Sequence, residues 1–569
     1  MASTPRSSNQ IDIFEQRAYA TLQGGENGDE DAAVDELRRR NSQILLLQLP
    51  DKILLAIVEH HTHIFRWLAW DSTTNIRRLM EKYKILAMSQ VCHRLRTLLT
   101  SSPSPWRVIT SLPHTNTSFV LELLHRAIPH PVDFIAVTNA PYGPLLPQLQ
   151  AAIPFMHSLV IELCEGFYDV KPDDFQPLSG VAPYLRSLKL TQPVVSETGR
   201  LSIPNIVDGV NCPELVSLEV VNIAFSPAQF TWSGQLTHLI LLVDPDPGAE
   251  FTSPLVMDVH VLLMNVLSHL PLLKDLELDG VFPPSKNNYQ LLTGIKVDLC
   301  HLRQLRVANH GRSPSLLLKH VNIPVGARVE VDFKSVMHES SVRELIEILS
   351  QKLSAGATLD GFVVRPVTGG GQDAFIAGYT EVDSVSEFCS ESGDLPFQFK
   401  IFIPSALRQQ PWPSMVFGTL ARLPLHNVKM FHMDKWASTY STSDMVTLLQ
   451  AMPLIHTLCW SGRTFEQLVS LLMADFKEVE GAEGVTLPNE SPILSSLKTL
   501  IIRTADLGDD SNAVQASQSL CLALKARQEQ QMPVHSLLLY DCTQVSQENL
   551  RLLAPYVNEC FHDDALISV

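Results

Sequence analysis

The sequence predicts an α/β fold: a short helical domain near the N-terminus, followed by a long, irregular solenoid of stacked strand–helix units. Three observations carry this. A six-residue pattern, LxxLxL or a close variant, recurs nine times. Amphipathic helical runs of 10–15 residues precede several copies, usually across a short break. A compact helical stretch opens at Leu49-Pro50 and closes at Trp106, before the first copy.

The clear copies are LRSLKL (185–190), LVSLEV (215–220), LTHLIL (236–241), LKDLEL (273–278), LRQLRV (302–307) and LKTLII (497–502); the weaker ones are MHSLVI (156–161), IHTLCW (455–460) and VHSLLL (534–539). A strand points alternate side chains to opposite faces, so the fourth and sixth positions enter one core and the first closes the preceding turn. No unit of this size buries its own apolar face, and neighbours must stack. The intervals are uneven: 30 residues from Leu188 to Leu218, 21 from Leu218 to Leu239 and 37 from Leu239 to Leu276. The array is therefore degenerate. Residues 366–398 break its rhythm and read as a long loop or an irregular repeat.

Helix-then-strand units read clearly at 119–137, 259–280, 341–364 and 443–462. The third begins with a capping-box match at Ser341 and Glu344. Between core positions of the strands, Ser187, Lys189, Ser217, Glu219, Asp275, Glu277, Gln304 and Arg306 should face outward and are the candidate target-facing residues. Their charges are mixed in sign and specify no particular ligand.

Residues 1–31 are polar, with an acidic, glycine-rich run from Gly24 to Asp31, and read as a disordered tail. Domain one is expected over 32–110 and the array over 111–569. A helix over 32–47 leads to LPDKILLAIVEHH, where Pro50 suits a first helical turn and Ile53, Leu54, Ile57 and Val58 form an apolar stripe. A second helix runs through YKILAMSQVCHRLRTLL and ends at Ser101, Pro103 and Pro105.

Bulk composition narrows the function classes. The 569 residues are 45% hydrophobic and 18% charged, so most of the chain is buried somewhere. A net charge of −17 argues against a general binder of nucleic acid or anionic membrane, which needs a basic face. The N-terminus shows no signal-peptide pattern, and no uncharged apolar run reaches about 18 residues. Nine cysteines, at 92, 164, 212, 300, 389, 459, 521, 542 and 560, form no CxxC pair and read as reduced core thiols of a cytoplasmic or nuclear protein.

Over 49–109 the sequence resembles an F-box: Leu49-Pro50, then Ile53-Leu54-Leu55, then Val91-Cys92, then Trp106 with Ile109. In this order, ahead of leucine-rich repeats, the pieces resemble the large family of fungal F-box proteins with degenerate repeats. Lys52 replaces the usual acidic residue, Leu95 the usual aromatic, and residues 62–84, with Trp67 and Trp70, lengthen the connection between the helices. The resemblance implies a substrate-recognition role in a cullin-RING, SCF-type ubiquitin ligase. By that analogy Leu49, Pro50, Ile53, Leu54, Ile57, Val91, Cys92, Leu95 and Trp106 form the interface with the adaptor subunit or its supporting core, and the repeats hold a target protein.

Catalytic constellations are not apparent. Glu59, His60, His61 and His63 read as a polar helix end, because a metal would need further ligands. Gly369-Gly370-Gly371 lacks the lysine of a phosphate-binding loop. Cys92, beside His93, lies in an apolar helix that would keep its thiol protonated. The sequence thus predicts a binding protein with no cofactor, no nucleic-acid or membrane partner, and no chemistry of its own.

Overall fold

The structure is a computed structural model. It describes residues 48–58, 93–111, 117–138, 146–163, 178–192, 210–223, 230–243, 257–282, 294–309, 312–334, 339–366, 374–382, 395–403, 412–434, 442–461, 465–473, 493–505, 511–542, 547–562 and 565–566, with Arg39, Phe388 and Val545. The architecture is mixed α/β with a large, mainly parallel sheet. Two compact units are distinguished: Met1–Val137 with Pro147–Leu159, and Thr138–Leu146 with Val160–Val569. The first unit thus reaches past residue 110 and takes in the first strand–helix pair.

In the first unit, residues 51–58 are helical. They are followed by α1 (His93–Ser101), a 3-10 turn (Ser104–Trp106), β1 (Val108–Ser111), α2 (Thr117–Ala127), β2 (Val132–Thr138), α3 (Leu146–Ala152) and β3 (Met156–Leu163). β1 runs parallel to β2, with Val108 opposite Asp133. Leu54, Val58, Leu95, Leu99, Trp106, Ile109, Val120, Leu124 and Phe134 are all buried.

The second unit begins with β4 (Gly180–Val181), β5 (Ser187–Thr191), β6 (Val210–Asn211), β7 (Ser217–Val221), β8 (His238–Leu242), α4 (Val259–Asn265) and β9 (Asp275–Asp279). It continues with β10 (Val297–Asp298), β11 (Gln304–Asn309), α5 (Ser313–His320), β12 (Val321–Asn322) and β13 (Arg328–Phe333). The main strands pair in parallel, in sequence order and in one register: Leu188, Leu218, Leu239, Leu276, Leu305 and Val329 stand side by side. β4 with β6 and β10 with β12 form two separate short parallel pairs.

This alignment is what the leucine spacing encodes. In all nine copies the first, fourth and sixth residues are buried, as in Leu273, Leu276 and Leu278, each 1% exposed or less. Each fully buried leucine contributes roughly 1.5–3 kcal/mol relative to exposure. A residue with positive φ follows directly on β7 and β9, at Asn222 and Gly280, and its N–H bonds the next strand's carbonyl. The same turn recurs farther along, at Thr504.

After β13 come α6 (Glu339–Leu353), β14 (Gly361–Pro366), β15 (Ala374–Tyr379), β16 (Phe397–Ile403), α7 (Trp412–Leu420), β17 (Met430–Asp434), α8 (Thr442–Gln450), β18 (Thr457–Ser461) and α9 (Phe465–Leu472). The chain finishes with β19 (Thr499–Arg503), α10 (Ser511–Glu529), β20 (Ser536–Tyr540), α11 (Gln547–Leu553), β21 (Glu559–His562) and β22 (Ala565–Leu566). From α4 to α11 each helix packs against the next. Parallel pairing resumes from β17 through β21.

Two expectations are corrected here. Residues 366–398, expected as a long loop or an irregular repeat, are not a loop alone: they hold all of β15 and the start of β16, which lie antiparallel to each other. β16 returns to pair with β13, β15 pairs with β14, and β14 pairs with β17, so the spatial order is β13-β16-β15-β14-β17. The second correction is the capping box. α6 starts at Glu339, which puts Ser341 inside its first turn, where its carbonyl accepts from Ser315 Oγ at 3.2 Å. Glu344 pairs instead with Arg312 at 2.6 Å.

Candidate interaction surfaces

The first surface lies on helical residues 51–58. Apolar residues three and four apart share a helix face. Leu54 and Val58 turn inward, at 3% and 1% exposure, whereas Ile53 and Ile57 stand at 47% and 40%. The helix start is tied to α1 by Arg94, which donates to Asp51 Oδ1 at 2.6 Å and to the Leu49 carbonyl at 2.8 Å. Trp106 Nε1 donates to the Leu99 carbonyl at 2.6 Å, closing the small core.

The sequence-predicted adaptor residues therefore separate. Pro50, Ile53 and Ile57 are exposed, Leu49 is half-buried, and Leu54, Leu95 and Trp106 belong to the core. Leu95 is buried within it. Val91, Cys92, Trp67 and Trp70 lie outside the described residues, as do Glu59, His60, His61, His63 and Gly369-Gly370-Gly371.

The second surface is the strand face opposite the LxxLxL core. Register places Ser187 beside Ser217 and Lys189 beside Glu219, whose charged atoms are 2.9 Å apart. Asp275 stands beside Gln304, and Glu277 beside Arg306. Arg306 bridges two strands, meeting Glu277 at 2.8 Å and Glu330 at 3.2 Å. His238 pairs with Asp275 at 2.9 Å, and Lys334 with Asp279 at 2.6 Å. All eight predicted outward residues thus occupy this one face.

Carboxylates are crowded here. Burial raises the Glu277 carboxyl above its usual range; Asp279 and Glu330 add to the rise, and Arg306 opposes it. Asp332 is likewise raised by burial, with Lys334 as the main opposing charge. Asp279, Glu330, Asp332 and Lys334 were not among the sequence candidates. Ala327, just before β13, and Val329 and Val331 within it stand where other copies carry leucine, so the outward residues of that strand were not recognised.

Beyond β13 the same face becomes apolar. Val363, Ala377, Cys459 and Ile501 cluster with Phe375, Tyr379 and Phe388, all buried. His432 joins this region at 2% exposure, with Nε2 3.2 Å from Ser461 Oγ. Burial, helped by Arg365 and Arg503, pushes its pKa down to about 3, so the imidazole is neutral. Leucine counting could not reveal this patch, because its residues lie on the face that a repeat ordinarily leaves open.

Burial raises the thiol pKa of Cys212 to about 12 and also raises those of Cys521 and Cys560, which disfavours nucleophilic chemistry at these positions. Among the described residues no group of three or more His, Cys, Asp or Glu could hold a metal ion, and no helix is long and apolar enough to cross a membrane. No family model matches the chain, and no curated protein matches it in sequence.

Proposed function

We propose that this chain is the substrate-recognition subunit of a cullin-RING, SCF-type ubiquitin ligase. Residues 49–109 act as an F-box that docks the adaptor subunit, and through it the cullin. The remainder acts as a degenerate leucine-rich-repeat solenoid that holds a target protein, in the cytoplasm or nucleus. No bond is made or broken by this chain; it raises the local concentration of a target beside a ligase assembled from other subunits.

The observation that carries the proposal is the exposed pair Ile53 and Ile57, one helical turn apart, on a helix fixed at its start by the Asp51–Arg94–Leu49 contacts. Apolar anchors on a rigid element suit helix-in-groove or helix-on-helix docking. The aligned polar row on the parallel strands supports the second half of the reading, since stacked repeats offer a continuous recognition surface.

The deciding experiment is affinity purification of the full chain under proteasome inhibition, with mass spectrometry of what is retained. Recovery of an adaptor subunit and a cullin, lost on Ile53→Glu, supports the ligase role. Retention of other proteins with neither subunit overturns it in favour of a repeat scaffold with no ligase role.

A further inference from the structure

The second residue of a repeat copy lies just before its strand, at one rim of the sheet. From β17 to β20 these residues are Lys429, His456, Lys498 and His535. Backbone bonds fix them in a row. The His456 N–H donates to the Lys429 carbonyl at 2.8 Å, that of Lys498 to His456 at 2.8 Å, and that of His535 to Lys498 at 2.7 Å. The four strands pair in parallel without interruption. Neighbours in such a sheet stand about 4.8 Å apart, so the row spans about 14 Å.

Four basic residues on consecutive strands stand out in a chain of net charge −17. Lys429, Lys498 and His535 are exposed, and His456 is half-buried. At one end of the row Lys429 meets Asp360 at 3.1 Å. At the other end Glu559 accepts a hydrogen bond from Ser536 Oγ at 3.0 Å. Between these two carboxylates Lys498 and His535 make no ion pair among the described residues.

The histidine registers the resulting field. Partial burial, then the Lys498 and Lys429 ammonium groups, lower the His456 pKa from its usual value, and no carboxylate among the described residues opposes them. Like charges on adjacent strands destabilise a sheet, and a bound anion removes that cost.

Length and charge choose among anionic partners. Nucleic acid or an anionic membrane would extend its phosphates well beyond a strip of about 14 Å, against a chain that is negative overall. A short acidic stretch of polypeptide places its charge on the strip alone. At about 3.3 Å per extended residue, about four residues match it.

We infer that the Lys429–His456–Lys498–His535 rim binds an acidic segment, rich in Asp and Glu, of a partner polypeptide. The inference rests on the repeats being the target-holding part of the chain. It adds a contact at the rim of the sheet, away from the mixed charges of the strand face, and gives the partner a sign.

The test is a titration of a fluorescein-labelled hexaglutamate peptide with the full chain, read by fluorescence anisotropy at about 50 mM salt, where screening is weak. Saturable binding is expected. Lys498→Gln should weaken it by about threefold and Lys498→Glu by about tenfold, because they remove one charge and reverse it. Lys498 is exposed, so both variants should fold, which circular dichroism checks. Lys319→Glu, at an exposed position on α5, should change the affinity by less than about twofold, because distant charges are screened.

Absence of saturable binding, or equal losses from Lys319→Glu and Lys498→Glu, would overturn the inference. So would tighter binding of an oligodeoxythymidylate of equal charge, which would make the rim a nucleic-acid site. No adaptor or ubiquitin enters this titration. A failed titration with adaptor capture intact removes the rim contact alone, and a failed adaptor capture leaves the titration unaffected.

Discussion

Asp51 and Arg94 are 43 positions apart in the sequence and 2.6 Å apart in space. Their contact joins the Leu49-Pro50-Asp51 start of one helix to α1, and Arg94 also donates an N–H to the Leu49 carbonyl. The pair is largely solvent-exposed and is worth about 0–1 kcal/mol. Arg94→Ala should therefore change the thermal midpoint little, while loosening the orientation of residues 51–58 and, under the proposed ligase role, weakening adaptor capture. A loss of several kcal/mol in stability, measured by urea unfolding, would contradict this assignment.

Ile53 and Leu54 are neighbours with opposite fates, and substitutions should separate them. Ile53→Glu is expected to stay within about 0.5 kcal/mol of wild-type stability, because surface changes rarely do more. Under the proposed ligase role it should nevertheless cost roughly 2–4 kcal/mol in adaptor binding, as truncation of a central anchor does. Leu54→Ala should cost about 2–5 kcal/mol in folding through cavity formation. Calorimetry and a titration with the adaptor subunit read the two effects; equal behaviour of the two variants would refute the assigned orientation.

Glu277 sets up a test with a definite sign. Its carboxyl is raised in the folded state by burial, so the native chain holds that proton more tightly than the unfolded chain does. Folding is then favoured as pH falls through the folded value toward the usual carboxylate range, and ionisation at neutral pH works against it. Glu277→Gln should leave stability at pH 7 unchanged or increased, with Arg306 still held by Glu330. A marked drop in the urea midpoint at pH 7 would show that the Arg306 contact outweighs burial.

His432 shifts in the other direction. Its folded pKa of about 3 lies below the ordinary 6.5, so the neutral form is the folded one. Its contribution is complete above pH 6.5 and is lost as pH falls toward 3, at roughly 1.4 kcal/mol per pH unit. Urea midpoints at pH 7 and pH 5 should differ in wild type, and less so in His432→Gln. An identical pH dependence in the two proteins would remove His432 from the account.

Gly378 leaves no room for a side chain. A Cβ there would lie 2.5 Å from Phe399 Cε1 and 3.1 Å from Leu359 Cδ2, both packed core atoms. Gly378→Ala should destabilise by about 1–3 kcal/mol, as overpacking does. Chemical unfolding checks this; no change would mean that Phe399 shifts freely.

The parallel alignment was legible because Leu188, Leu218, Leu239, Leu276 and Leu305 repeat at positions that a strand must bury. The outward set followed by alternation alone. The unit at 341–364 was read from its helix although Leu359, Phe362 and Val364 depart from the leucine pattern; two others escaped because Phe, Val, Met and Ala replace leucine, one with Val428, Phe431 and Met433 and one with Ala327, Val329 and Val331. The antiparallel β15 carries no such spacing and pairs with strands on both sides that no local pattern specifies. Phe388 was invisible for a related reason: a lone aromatic in a connection has no periodicity to betray burial. On residues 51–58 the stripe was seen as a whole, but which half faces inward depends on α1, a contact that the sequence does not encode locally.

The order β13-β16-β15-β14-β17 has a consequence for how the chain can be cut or made. In a plain array every strand finds its partner already in place as the polypeptide leaves the ribosome. Here β14 emerges with neither neighbour available, and β13 must wait for β16 before its free edge is covered. A boundary placed between β14 and β16 would leave β13 open and both outer edges of the β14 or β14–β15 piece open as well, three raw edges rather than one. Fragments ending before or after this three-strand seam should be tractable, and fragments ending within it should aggregate.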